Sequence, residues 1–162
     1  MLKHVDAGSP AEIFDRAREH ARANELAYAG AVTPREAHHL VQTGDACIVD
    51  VRGRFEREFV GRVADSVPIE WRVYEPEGEN GIKSHLNPGF LAQLEDAFAK
   101  DDALLLLCRS AVRSHQAAVA AAGAGFTRVY NVLEGFEGDI DDGKQRGRAG
   151  GWRKAGLPWL QG

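Results

Sequence analysis

Residues 104–114 read LLLLCRSAVRS, and the reading of this stretch decides the fold. Four leucines in a row, bounded by charge on both sides, predict a short strand buried on both faces. Cys108 stands where that strand runs out. Arg109, Ser110, Ala111, Val112 and Arg113 follow, and then an alanine-rich run from Ser114 to Ala122 with strong helix propensity. Strand, tight loop and helix start form the junction at which open α/β sheets bind ligands, beyond the carboxyl ends of the strands. The first N–H groups of a helix have no partner within it, and the helix dipole adds positive potential there. A thiol so placed, between two arginines, is expected to be partly thiolate at neutral pH. Buried cysteine is also a common small hydrophobe. Two arginines ahead of a helix favour the other reading, a nucleophilic sulfur at the bottom of an anion-binding cradle.

Elements on either side of this stretch alternate. Upstream, Asn87-Pro88 caps a helix predicted to reach about Lys100, with Phe90, Leu91, Leu94, Ala97 and Phe98 on one face. Before it, residues 72–85 turn polar and glycine-containing, which reads as a surface excursion. Val67 to Ile69 is a short strand, Arg54 to Phe59 a short charged helix, and Ala46 to Val51 a buried strand that includes Cys47. Ser9-Pro10-Ala11-Glu12 and Thr33-Pro34-Arg35-Glu36 each combine a capping box with proline at the first helical position. The first helix carries an apolar stripe through Ile13, Phe14 and Ala17 toward Asn24, and the second runs to about Thr43 and closes at Gly44. Downstream, Gly123 and Gly125 end the alanine-rich helix and Thr127 to Val132 forms one more strand. Strands alternating with helices argue an α/β fold, a parallel sheet covered on both sides.

Residues 138–151 hold five glycines among charges of both signs and should be a mobile loop, either a lid or a plain surface loop. The following GWRKAGLPW carries two tryptophans suited to anchoring the end of the chain.

With 162 residues, 44% apolar and 27% charged, the chain has enough sequence to bury a core as one domain. Its net charge of −4 gives no bulk attraction for nucleic acid or anionic membrane, and neither is expected as a partner. The two cysteines, Cys47 and Cys108, have neither a C-x-x-C nor a metal-ligand spacing. His38 and His39 do not share a helix face, so no metal site is expected there. Nothing resembles a signal peptide or a spanning segment, and a reduced cytoplasm is the expected location.

Spacing narrows the chemistry. Cysteine-based phosphatases use C-x5-R, a longer loop than the C-x4-R formed by Cys108 and Arg113. The pattern C-R-x-x-x-R-S resembles the active-site loop of rhodaneses (thiosulfate sulfurtransferases), with Ala111 where the family usually has glycine, a residue that tolerates positive φ. Val32 to Leu40, VTPREAHHL, is similar to the opening segment of single-domain rhodaneses. Asp50-Val51-Arg52, then Glu56 and Glu58 to Arg62, resembles their D-V-R…E-F…G-H-I stretch, with Arg62 in place of histidine. Asn131 to Phe136 resembles their N-V-x-G-G element, with Glu134 for a glycine. The resemblance implies a rhodanese-like three-layer sandwich around a parallel sheet of roughly five strands. It places a rhodanese domain at residues 29–162, with a Gly-rich C-terminal loop and a tryptophan-containing tail, behind an N-terminal helical extension at 1–28.

The same resemblance assigns roles. Cys108 is the nucleophile, taking the outer sulfur of an anionic donor such as thiosulfate and holding it as a persulfide for a thiol or cyanide acceptor. Backbone N–H groups of residues 109–113, that is Arg109, Ser110, Ala111, Val112 and Arg113, would steady the sulfur. Arg109 is expected to hold the donor's sulfonate end, with a solvated surface charge as the alternative. Arg113 is read first as closing the loop on its carbonyls or a carboxylate, and second as binding substrate. Asp50 orients the loop and Arg52 pairs with Glu56 or Glu58; a purely structural role is favoured for both. Trp71 either walls the pocket or belongs to the core. His115, two turns into the helix, should point away from Cys108, which leaves little for a Cys–His hydrolase. No metal or organic cofactor is called for. The alternative to an enzyme is a non-catalytic module, or a persulfide carrier that serves a sulfur-accepting protein.

Overall fold

The structure, a computed structural model, describes residues 7–162. Both proline-led starts form. Ser9 Oγ accepts from the Glu12 amide at 3.2 Å to open α1 (Pro10–Ala23). Thr33 Oγ1 accepts from the Glu36 amide while Glu36 Oε1 accepts from the Thr33 amide, a complete capping box for α2 (Pro34–Gln42). Between the helices lies β1 (Gly30–Val32), which has too few residues to show a period and was not expected. Gly30 lets α1 lie flush on it: a Cβ there would stand 2.2 Å from the Ala17 carbonyl oxygen.

β2 (Cys47–Asp50), β3 (Val67–Pro68), β6 (Leu104–Leu107) and β7 (Val129–Val132) complete a five-stranded sheet in the order β1-β7-β6-β2-β3, every pair parallel. The four leucines alternate between its faces, as the pleat requires. Leu105 and Leu107 pack with Ile13 of α1, Leu40 of α2, Phe136 and Trp152. Leu104 and Leu106 pack with Phe90 and Leu94 of α3 (Phe90–Ala97) and Ala117 and Ala121 of α4 (Val112–Gly123). Both faces are thus covered, which is why the strand sequences read as apolar runs.

Chain order through the sheet positions the site. From β2 the chain steps outward to β3 at one edge; from β6 it steps through α4 to β7, the other way. β2 and β6 are neighbours, with Asp50 opposite Leu107, so the direction of winding reverses between them. That reversal is the place where an open α/β sheet leaves a crevice at its carboxyl end.

Several expectations need correction. Residues 72–85 do run over the surface, but as part of an ordered antiparallel hairpin, β4 (Arg72–Glu77) and β5 (Gly81–Leu86), with Glu77 opposite Gly81. Its faces are mostly solvated, so apolar alternation is weak. The short charged helix does form, from Arg54 through Val60, and only its winding differs: over Glu56–Val60 it is wider than an α-helix, with the Gly61 amide donating to the Glu56 carbonyl. α3 stops at Ala97 because Phe98 turns extended, and α4 starts two residues before the alanine-rich run. Cys47 is half-buried rather than buried; burial, with the Asp102 charge second, pushes its thiol pKa up.

At the far end Trp152 is fully buried and donates from Nε1 to the Pro158 carbonyl at 2.8 Å. Arg62 and Leu160 exchange two backbone hydrogen bonds of 2.8 Å. Among the described residues no helix is long and apolar enough to cross a membrane.

Candidate active site

Cys108 follows β6 at the reversal point and is 1% exposed. Its loop is stitched to the segment after β7: the Phe136 amide donates to the Cys108 carbonyl (2.8 Å), and the Glu137 and Gly138 amides to the Arg109 carbonyl (3.0 and 3.2 Å). Gly135, at φ +66°, makes this approach possible, since a Cβ there would lie 2.5 Å from the Arg109 backbone. Glu134, in place of a second glycine, adopts φ 66° and accepts the Gly151 amide on Oε1 at 3.1 Å.

Ala111 caps α4 with φ 75°, the left-handed conformation that glycine adopts without penalty. Its carbonyl accepts both the His115 amide and Asn131 Nδ2 at 3.2 Å. Because that carbonyl only accepts, the Asn131 amide must turn its Oδ1 toward Ser114 Oγ, which donates to it at 2.6 Å. Ser114 Oγ lies 3.2 Å from Cys108 Sγ, and the Ser114 amide donates to Sγ at 3.3 Å. The backbone donor on the sulfur is therefore one residue beyond the 109–113 range expected. The remaining first-turn amides of α4 have no partners inside the helix.

Arg113 does not hold loop carbonyls. It makes a two-pronged pair with Glu56, both N···O distances 2.7 Å, and donates to Tyr74 Oη at 2.9 Å. Burial opposes its charge, but Glu56, aided by Tyr74 and Cys108, outweighs burial and raises the pKa. Arg109 is exposed and Ser110 half-buried. These residues and Val112 surround a cavity of about 570 Å³ with Cys108 in its wall, completed by Phe55, Glu137 and Arg146. Ala111 faces away, into a neighbouring recess beside Asn131. A larger cavity, about 930 Å³, lies elsewhere, between α1, α2 and residues 149–155, and has no cysteine in its walls.

Asp50 and Arg52 are fully buried and outside the Cys108 cavity. Arg52 pairs with Asp50 (Nη2 to Oδ2, 2.8 Å) and with the Gly61 carbonyl, not with Glu56 or Glu58, and stacks 4.4 Å from the Phe136 ring centre. Arg57 supplies Asp50 with a second cation at 2.9 Å. Glu56 is thereby left for Arg113. Trp71 packs edge-on against Phe90 and donates to Gln116, so it belongs to the α3–α4 side and does not wall the cavity. His115 is bonded to Tyr28 Oη at 2.7 Å, away from the sulfur. No group of three potential metal ligands occurs among the described residues.

Ser114 on the sulfur, Asn131 behind it, and Phe55, Val60, Tyr74, Glu137 and Arg146 in the cavity wall carry no role in the sequence analysis. The Gly-containing turn between RVYEPE and GIKSHL is a hairpin signal, but apolar alternation in both strands is too weak to mark Tyr74 as an inward residue. Nothing local signals Arg146.

The family model of the Rhodanese-like domain matches residues 33–141. The chain belongs to the rhodanese-like family. A Rickettsia prowazekii protein, RP600, is 31% identical over 74% of this rhodanese-like chain and 87% of its own. A Glaesserella parasuis protein named thiosulfate sulfurtransferase GlpE is 28% identical, covering 66% of this chain and 82% of that one. The crystal structure of Rv0390 from M. tuberculosis superposes with a TM-score of 0.67 at 42% identity, over 83% of this chain and 99% of the other. Sulfur transfer is the class of chemistry that this rhodanese-like membership supports.

Proposed function

We propose that the protein moves sulfane sulfur from thiosulfate, or a similar anionic donor, to a thiol or cyanide through a persulfide on Cys108. The supporting observation is a cysteine sulfur in the wall of a cavity, hydrogen-bonded by the amide at the start of α4 and flanked by the exposed Arg109. The Cys108 thiolate attacks the outer sulfur of thiosulfate. One S–S bond forms, the bond to the sulfonate sulfur breaks, and its electron pair leaves on sulfite. An acceptor thiolate then attacks the outer persulfide sulfur and restores Cys108. Arg109 steadies the sulfonate oxygens by charge-assisted hydrogen bonds, while Arg113, tied to Glu56, holds the loop. Neither step needs a metal or redox cofactor, because the sulfur carries its own oxidation state. A reduced cytoplasm suits a free thiol of this kind.

A second reading, a persulfide carrier for a protein partner, is favoured by the exposure of Phe55 and Val112 at the cavity mouth. Incubation with thiosulfate followed by intact mass measurement tests the proposal. The protein should gain one sulfur atom, Cys108→Ser should gain none, and Cys47→Ser should behave like wild type. A gain that survives Cys108→Ser would refute the assignment of the nucleophile.

A further inference from the structure

The charges around the cavity do not all face a ligand. Of the charged side chains lining it, Arg113 and Glu56 neutralise one another at 2.7 Å. Glu137 is offset from outside the cavity by Arg153, at 3.6 Å. Arg109 and Arg146 remain, two guanidinium groups that form no ion pair among the described residues.

Arg146 comes from the glycine-rich segment and lies outside the residues matched to the family. It is nonetheless fixed to the catalytic loop in two steps. Its Nη1 donates to the Gly138 carbonyl at 2.9 Å, and the Gly138 amide donates to the Arg109 carbonyl at 3.2 Å. The segment is closed around this bond: the Gly147 amide donates to the Glu137 carbonyl at 2.8 Å, and Gly138 packs so tightly on Gly150 that a Cβ would lie 2.2 Å from its oxygen. One hydrogen bond to a carbonyl leaves most of the five guanidinium N–H donors of Arg146 for a ligand.

We infer that Arg146 is a second anion-binding residue for the sulfur donor, and that the Arg109–Arg146 pair selects dianionic donors over singly charged ones. The inference rests on the sulfurtransferase reading of the same cavity. Two cations, Arg146 anchored on the Gly138 carbonyl and Arg109 exposed at the cavity wall, both gain against a dianion, whereas a monoanion of the same shape uses one. The 138–151 segment then acts as a specificity element whose Arg146 lies beyond the family's matched region.

The test compares two donors that deliver the same sulfane sulfur: thiosulfate, a dianion, and benzenethiosulfonate, a monoanion. Arg146→Ala should raise KM for thiosulfate roughly tenfold or more, the worth of a charge-assisted contact, while changing that for benzenethiosulfonate only about twofold. Arg146→Lys should recover part of the loss, and Arg148→Ala, an exposed charge on the same segment, should change neither donor. Equal effects of Arg146→Ala on both donors, or none, would overturn the inference. A readout independent of sulfur transfer separates it from the underlying function. Sulfate should protect Cys108 of the wild-type protein from alkylation by iodoacetamide, and Arg146→Ala should require roughly tenfold more sulfate for the same protection. If neither donor loads Cys108 but the difference in protection persists, the sulfurtransferase reading fails and the dianion site stands. If sulfate protects both proteins equally, the site itself is refuted.

Discussion

Arg113→Ala removes the tie between the loop after β6 and the turn after β2. The pair it breaks is largely dehydrated, with the Arg113 side chain 14% and the Glu56 side chain 7% exposed. Losing the guanidinium leaves the Glu56 carboxylate with the Gly53 amide as its remaining donor, at 2.8 Å. Breaking one side of a buried pair costs about 3–5 kcal/mol, and the residual exposure of Arg113 argues for the lower end, about 3 kcal/mol. For a domain of this size each kcal/mol shifts Tm by roughly 2–4 °C, so Arg113→Ala should melt about 6–12 °C early. The loss of kcat should extend to every donor, since the loop that carries the sulfur is loosened whatever approaches it. Adding Glu56→Ala to Arg113→Ala removes the stranded carboxylate, so the double variant should be more stable than the sum of the single losses by on the order of 1–3 kcal/mol. Arg109→Ala is the control: exposed and outside the salt bridges, it should change stability by no more than about 0.5 kcal/mol while raising KM for thiosulfate. Thermal melts and donor titrations on the four variants decide the matter. Wild-type melting of Arg113→Ala together with a raised KM for thiosulfate would make Arg113 a substrate contact and refute its role as a brace.

Ala111→Gly should stabilise the fold by up to about 1 kcal/mol, because release of the left-handed strain at φ 75° exceeds the entropy glycine adds to the unfolded chain; a lower Tm would show that Ala111 is unstrained. Asn131→Asp keeps the shape but sets an acceptor against the Ala111 carbonyl, so it should destabilise by about 1–3 kcal/mol, at least as much as Asn131→Ala; a wild-type melt would refute the amide orientation described above. His38 has its pKa lowered by burial and then by His39, so as the pH falls through the ordinary imidazole value the unfolded chain takes the proton first and stability declines. Melts between about pH 7.5 and 5 should therefore show a slope that His38→Gln reduces, and an unchanged slope would show that another group causes it.

The strand, loop and helix at 104–123 were legible because each rests on local physics: four leucines suited to burial on both faces, then a run with high helix propensity. The caps at Ser9 and Thr33 were legible for the same reason, as partners three residues apart. Pairings across elements were not. The resemblance placed Arg52 beside Glu56 or Glu58, whereas Arg52 pairs with Asp50 and Glu56 belongs to Arg113, 57 residues away. A carboxylate takes the guanidinium that the sheet brings to it, and Asp50 had already taken Arg52 and Arg57. Tyr74 was hidden by a hairpin whose solvated faces suppress the period-two signal, and Arg146 by a segment with no period at all.

What unites the residues around the cavity is their origin on separate connections. Glu56 follows β2, Tyr74 lies on the hairpin after β3, Cys108 and Arg113 follow β6, and Arg146 lies beyond β7. Only the strand order makes these connections neighbours, because winding reverses between β2 and β6 and leaves the loops of both free to meet over the gap. Arg113 and Glu56 join the two sides of that gap, so their ion pair serves a purpose a buried pair seldom serves for stability alone: it fixes one loop's position by another's. The cost of dehydrating two charges is spent on geometry. It also neutralises both within the cavity wall, which leaves Arg109 and Arg146 as its guanidinium groups without an ion pair among the described residues.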